Sequence, residues 1–282
     1  MFVNCISGFR SKFTFIFMMA SLFLLSLREK QPSYTCNAND EDCPTTRASM
    51  TSWMHLVVVA CGGRLEETLT MLKSAVSLGL MPLHLHVFAE DDLRPEFEKT
   101  DLLPHIDSVL YVDTDTLFMV PPKVIWRNFA DFNTRQLAAM TPESEDTRRG
   151  FYPSFSRIPY YGPTDRVLVY SCDFNYRPGH CHTKSNCKQA EIDGVKVVHG
   201  NRRWFHEPKK QPTFKAIYDV FRDYPIGSNL DANLVQPLGK ALRSVINRRP
   251  CQKQNWMFMT RLENHVKRRR SRATLGGIFE TV

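Results

Sequence analysis

The feature that most constrains this chain is the run His55-Leu-Val-Val-Val-Ala60, apolar on both alternations and halted by Cys61-Gly62-Gly63. A β-branched strand with no polar face must be covered on both sides, as a central strand of a parallel sheet is. Helical spacing follows, with Leu65, Leu69, Leu72 and Val76 on one stripe. A second strand, Leu83 to Phe88, ends in Ala89-Glu90-Asp91-Asp92, and a third, Ser108 to Val112, runs straight into Asp113-Thr114-Asp115. The β-α-β order predicts an α/β domain whose ligands gather beyond the carboxyl ends of the strands. Pro121-Pro122 primes a short helix, residues 136–140, 167–170 and 195–198 read as strands, and 212–221 reads as a helix.

The chain ahead of that domain has a different character. Arg10 and Lys12 precede an apolar run from Phe13 to Leu27, closed by Arg28-Glu29-Lys30. At about 1.5 Å per residue such a run suits either a signal-peptide core or, as preferred here, a short uncleaved signal anchor in a thin, early secretory membrane. The expected organisation is a cytosolic tail at 1–12, an anchor at 13–27, a polar stem at 28–53 and a lumenal domain at 54–224. A basic C-terminal tail at 225–282 completes it. The expected placement is that of a single-pass type II protein of the Golgi or endoplasmic reticulum. The net charge of +8 belongs to that tail, because Gly239 to Arg272 holds eleven Lys or Arg against Glu263 alone. A lumenal tail meets no nucleic acid, so Lys267-Arg-Arg-Arg270 is expected to be a solvated charge run.

Seven of the eight cysteines follow the apolar run, which leaves one free or paired with another chain in an oxidising compartment. Cys172, Cys181 and Cys187 are the disulfide candidates. Cys181 and Cys187 lie beside His180 and His182, but the spacing matches no zinc finger, and a small loop closed by a disulfide is the expectation.

The chemistry concentrates in Tyr111-Val-Asp113-Thr-Asp115. Two carboxylates one residue apart, where a buried strand opens into a loop, can both reach one hard divalent ion, and that ion can hold a diphosphate. Val197-Val198-His199-Gly200-Asn201-Arg202 is a second strand end, where an imidazole can join the same ion and a glycine lets backbone approach a phosphate.

These segments carry a resemblance. His55 to Leu78, Asp107 to Asp115, Gln136-Leu-Ala-Ala-Met-Thr-Pro-Glu143, Asn175-Tyr-Arg-Pro-Gly-His-Cys181, His199-Gly-Asn-Arg202 and Lys210 to Tyr218 are similar to the glucoside xylosyltransferases of glycosyltransferase family 8. The resemblance implies a GT-A-like, Rossmann-type nucleotide-sugar domain. It implies metal-dependent transfer of xylose from UDP-xylose, with retention, onto O-linked glucose of EGF-like repeats in Notch-like receptors. Asp113, Asp115 and His199 match the metal ligands, with Mn²⁺ as the ion. Ala60, Cys61, Thr114, Gly200, Asn201 and Lys210 are the residues expected at the donor nucleotide.

Two departures from the family set a limit on that expectation. The family carries a long segment between the positions of Glu98 and Leu103, and another after Tyr161-Gly162, where this chain passes through Pro163-Thr164 almost directly to Val167. The second holds an Asn-Ser-Gly strand and a Gly-Asp-Gln-Asp motif that position donor sugar and acceptor. The expected activity is therefore nucleotide binding with little or no transfer. The rival reading is a catalytically dead, membrane-anchored isoform that binds nucleotide or a partner.

Overall fold

The computed structural model describes residues 22–26, 53–79, 82–89, 108–136, 138–141, 166–181, 185–245, 251 and 254–279. Eight strands follow in chain order. They are β1 (Leu22–Ser26), β2 (Met54–Ala60), β3 (Leu83–Ala89), β4 (Ser108–Val112), β5 (Thr116–Phe118), β6 (Ala138–Met140), β7 (Val167–Val169) and β8 (Val197–His199). The helices are α1 (Leu65–Leu78), α2 (Pro122–Trp126), α3 (Lys188–Asp193), α4 (Pro212–Asp223), α5 (Gln236–Ser244) and α6 (Trp256–Phe279).

Six strands form one sheet in the order β3-β2-β4-β1-β6-β7, and β5 pairs with β8 in a second. The β2 strand is parallel to both β3 and β4, as its unbroken apolar run requires. Chain order reverses there: β3 lies to one side of β2 and β4 to the other. A crevice opens at such a switch point, beyond the carboxyl ends of the two diverging strands. Both Asp113-Thr114-Asp115 and the Cys61-Gly62-Gly63 turn sit at that end. Gly62 holds φ +62°, a conformation that favours glycine, and this turns the chain from β2 into α1.

The main core lies on the face of β2 and β4 that presents Met54, Leu56, Val58, Leu110 and Val112. Onto it pack Met71, Ala75 and Leu78 of α1 and Phe214, Ile217, Tyr218 and Phe221 of α4. The stripe expected to be buried on α1 is not the one that faces the sheet: Leu69 and Val76 are exposed, and Thr68, Met71, Ser74, Ala75 and Leu78 are buried. Two contacts explain the rotation. Small residues let the helix approach closely, and Ser74 Oγ accepts a 3.0 Å hydrogen bond from the backbone N–H of Phe118 in β5. A leucine stripe offers no such acceptor for that buried donor.

Two further expectations, the domain end and the cysteine pairing, are corrected by the structure, and the expected solvated charge run is met. The domain does not end at Tyr224, because Leu234, Val235, Leu238, Leu242, Met257, Phe258, Leu262 and Val266 all belong to the same core. The charge run of α6 is its outer face, where Lys267, Arg268, Arg269 and Arg270 are exposed and Arg270 pairs with Asp231. The cysteines do not close a small Cys181–Cys187 loop: the bonds are Cys172–Cys187 and Cys181–Cys251. Cys61 is disulfide-bonded as well, and no described cysteine is free. His182 of the zinc alternative lies outside the described residues.

The apolar run at 13–27 also departs from expectation where it is described. Leu22–Ser26 is a strand, antiparallel to β4 on one side and to β6 on the other. A strand paired on both edges is not a membrane-spanning helix, and no helix among the described residues is long and apolar enough to cross a membrane. The rest of the run, like the stem as far as residue 52, lies outside the described residues.

Leu24 pairs with Leu110 and with Ala139, so proline there removes an N–H donor inside the sheet. Leu24→Pro is expected to cost about 1–3 kcal/mol of stability in thermal or urea unfolding of the purified chain. An unchanged melting curve would show that β1 contributes no ladder.

Candidate metal centre

Asp113 and Asp115 stand at the two sides of a tight turn between β4 and β5, with Thr114 at its tip. Thr116 Oγ1 donates a 2.8 Å hydrogen bond back to Asp113 O, which closes the turn. β5 then pairs antiparallel with β8 so that Thr116 faces His199. That register delivers the imidazole to the carboxylates: His199 Nε2 lies 3.1 Å from Asp115 Oδ1 and 3.8 Å from Asp113 Oδ2. One ligand atom from each of the three residues falls within 4.8 Å of the others.

The tautomer of His199 follows from its other partner. His199 Nδ1 lies 3.0 Å from Asn175 Oδ1, and the same oxygen receives Arg177 Nε at 3.4 Å. A guanidinium can only donate, so that atom is an acceptor and Nδ1 carries the proton toward it. With Nδ1 committed to Asn175, Nε2 is the nitrogen that faces the two carboxylates. Lone pairs facing carboxylate oxygens repel unless a cation lies among them, so the donor set fits a divalent ion. Asn175 reaches this position because Tyr176 runs alongside Val198: Tyr176 N bonds to Val197 O at 2.8 Å and His199 N to Tyr176 O at 2.9 Å.

Burial pushes the Asp113 carboxyl up to about 6, against the opposing pull of His199. It acts on Asp115 in the same sense, but His199 and Arg64 outweigh it and hold that carboxyl below its ordinary range. Tyr111, desolvated and donating its hydroxyl to Asp113 Oδ1 at 3.1 Å, is held protonated far above the usual phenol range. Arg64 opens α1 and lies 3.7 Å from Asp115 while pairing with the buried Glu67. Glu67 also meets His206 Nε2 at 2.7 Å, which ties the β2–α1 turn to the loop after β8.

The other expected residues fall around this centre unequally. Gly200 donates its N–H to Asp115 O at 2.8 Å, and a Cβ there would lie 2.4 Å from the Phe205 ring, so only glycine fits. Asn201 follows it in the same turn, while Ala60 ends the neighbouring strand β2 and Cys61 comes just after it. Lys210 does not reach the carboxylates but stands 5.8 Å over the Trp204 ring. The cations beside the centre are instead Arg64 and Arg177, whose charge also lowers the Asp113 carboxyl. Asn175 and Arg177 were within the motif quoted from the sequence, but a strand-to-coil segment gives no sign of which side chains turn inward.

No protein-family model matches the chain. Curated relatives do: glucoside xylosyltransferase 1 of Gallus gallus is 32% identical, with 76% of this chain and 73% of that protein covered. Glucoside xylosyltransferase 2 of Mus musculus is 31% identical over 77% and 72%, and glucoside xylosyltransferase 1 of Homo sapiens 31% over 78% and 73%. The chain belongs to the glucoside xylosyltransferases. The match to the chicken protein runs over 317 positions yet covers only 76% of 282 residues, so that relative carries internal segments which this glucoside xylosyltransferase lacks.

Asp113→Asn and Asp115→Asn are each expected to abolish binding of a divalent ion, with Mn²⁺ as the probe, in calorimetry, because an amide keeps the shape and removes the charge. His199→Ala weakens it less, and Asn175→Ala costs about 10–100-fold through loss of the ring's orientation. Unchanged affinity in both aspartate variants would refute the site. With Mn²⁺ present, affinity should fall as pH drops through about 6, where protons compete for Asp113. Metal-free protein shows the opposite sign in thermal melts. The raised Asp113 carboxyl stabilises the fold fully below its ordinary value of 3.8, and that contribution is lost as pH rises through about 6.

Proposed function

We infer that this chain is a divalent-metal-dependent member of its family that binds UDP-xylose, with Mn²⁺ as the ion. Its acceptor is glucose O-linked to EGF-like repeats, and xylose is transferred with retention of configuration. The observation that carries the reading is the convergence of Asp113, Asp115 and His199 at the switch point between β2 and β4. Two carboxylates and one imidazole bind a hard-to-borderline divalent ion and leave positions for phosphate oxygens. When bound, the ion supplies Lewis-acid stabilisation of charge on the departing nucleotide.

The protein's own groups supply the rest of the donor side. Asn175 fixes the His199 ring, Tyr111 holds one oxygen of Asp113, and Gly200 joins its turn to the backbone of Asp115. Arg64 and Arg177 provide positive charge that a diphosphate needs. Placement in the Golgi or endoplasmic reticulum lumen is supported by the disulfides, which persist in oxidising compartments.

Transfer makes a further demand. The donor sugar must stand in line with the acceptor hydroxyl, and an error of an ångström can cost about a hundredfold. The internal segments that the relatives carry and this chain lacks favour a protein that binds donor and transfers slowly.

The test assays this chain beside a version with the two segments restored, using UDP-xylose and a glucosylated EGF-like repeat. Both should bind UDP-xylose with Mn²⁺, and the unrestored chain should turn over at least about a hundredfold more slowly. Failure of donor binding in the folded chain would overturn the donor-site reading, and equal turnover would overturn the role given to the missing segments.

A further inference from the structure

Three histidines gather on the sheet away from Asp113, Asp115 and His199. His55 lies on β2 and faces His84 on β3, and His86 follows two residues later opposite Val57. Parallel register and the two-residue period put all three side chains on one face, which also carries Val57, Val109 and Tyr111. It is the face opposite the main core.

The rings meet. His55 Nδ1 and His86 Nε2 are 3.0 Å apart, and their ring centres are 5.2 Å apart. His84 stands 5.2 Å from His55 and 6.4 Å from His86, with Trp53 edge-on against it at 4.3 Å. His86 is buried, and among the described residues its Nδ1 has no hydrogen-bond partner, so the contact with His55 alone holds that ring by hydrogen bonding. Burial, together with the neighbouring imidazoles, disfavours the charged form of His55 and of His86. Both therefore offer neutral nitrogens, the form that ligates a metal.

We propose that His55, His84 and His86 form a second metal site, selective for a borderline divalent ion of the Zn²⁺ class and distinct from the carboxylate centre. A histidine pair two apart on one strand with a third on the neighbouring strand sets three imidazoles side by side on one face, with the His55–His86 pair already in contact and His84 beside His55. Two nitrogens on a tetrahedral Zn²⁺ lie about 3.3 Å apart and their ring centres about 5 Å apart. Two of the three ring spacings already meet that figure, and a turn of the half-exposed His84 closes the third. Binding needs only that the donor ring of the His55–His86 pair move its proton to its other nitrogen. Three imidazoles leave a fourth position for water. The two sites differ in chemistry: two carboxylates and a histidine favour Mn²⁺ or Mg²⁺, and three histidines favour Zn²⁺, Ni²⁺ or Cu²⁺.

The experiment uses the full chain, stripped of metal, in an Asp113→Asn/Asp115→Asn background that silences the carboxylate centre. Zn²⁺ is titrated against a chromophoric chelator, and Co²⁺ is added separately to read its ligand-field spectrum. One equivalent of Zn²⁺ and a tetrahedral Co²⁺ spectrum should remain in that background. His84→Gln and His55→Gln, both at half-exposed positions that leave the core unchanged, should each weaken Zn²⁺ at least about tenfold and remove the Co²⁺ bands. Absence of a Zn²⁺ equivalent in the aspartate background overturns the proposal, and so does unchanged affinity in both histidine variants.

Discussion

The antiparallel pairing of Thr116–Phe118 with Val197–His199 is the contact on which the candidate metal centre depends, because it carries an imidazole to a carboxylate 84 residues away in sequence. Three residues on each side are a short ladder, and an isolated two-stranded ribbon of that length is not stable in water. Its stability comes from what surrounds it. Ser74 of α1 caps the N–H of Phe118, Met119 N bonds to Lys196 O, and the Asn175–Arg177 segment lies along the far side of β8. The buried pair of Lys196 with Asp173 fixes the entry to β8. Each of these satisfies a polar group that would otherwise be buried unpaired, so the ligand geometry is set by hydrogen bonds outside the ligands.

The sheet was legible in the sequence where a strand is buried on both faces. His55 to Ala60 and Ser108 to Val112 announce themselves by unbroken β-branched runs, and the two aspartates follow from where the second run stops. His199 was legible for the same reason, as a polar residue at the end of Val197-Val198. Asn175, Arg177 and Arg64 were not, because their roles depend on contacts between segments far apart in the chain. The α1 stripe was misread because periodicity scores leucines, and the deciding contact is a serine hydroxyl on a strand N–H. The helices beyond Tyr224 were obscured by their lysines and arginines: an amphipathic helix with one buried row, such as Leu262 and Val266, carries a weak apolar signal beside a dense charge run.

The strand Leu22–Ser26 shows why an apolar run alone does not decide between bilayer and sheet. Both environments exclude water and both require every backbone N–H and C=O to find a partner. Between β4 and β6, any ladder position left open would bury an unpaired group at a cost of about 1–3 kcal/mol. A run of leucines and phenylalanines fills such a gap as readily as it fills a lipid layer. Here it pairs on both edges, and the sheet continues from β4 through to β7.

The C-terminal helix α6 gives the centre a remote support. Met257 O accepts the N–H of Val195 just ahead of β8, and Gly194 packs so closely on this helix that a Cβ would lie 2.9 Å from Thr260 Cβ. Cys251, a few residues before the helix, is bonded to Cys181 at the end of the segment that carries Asn175. The far end of the polypeptide thus acts as a splint on both sides of His199. A chain cut after Tyr224 would keep all three ligands and lose the spacing between them.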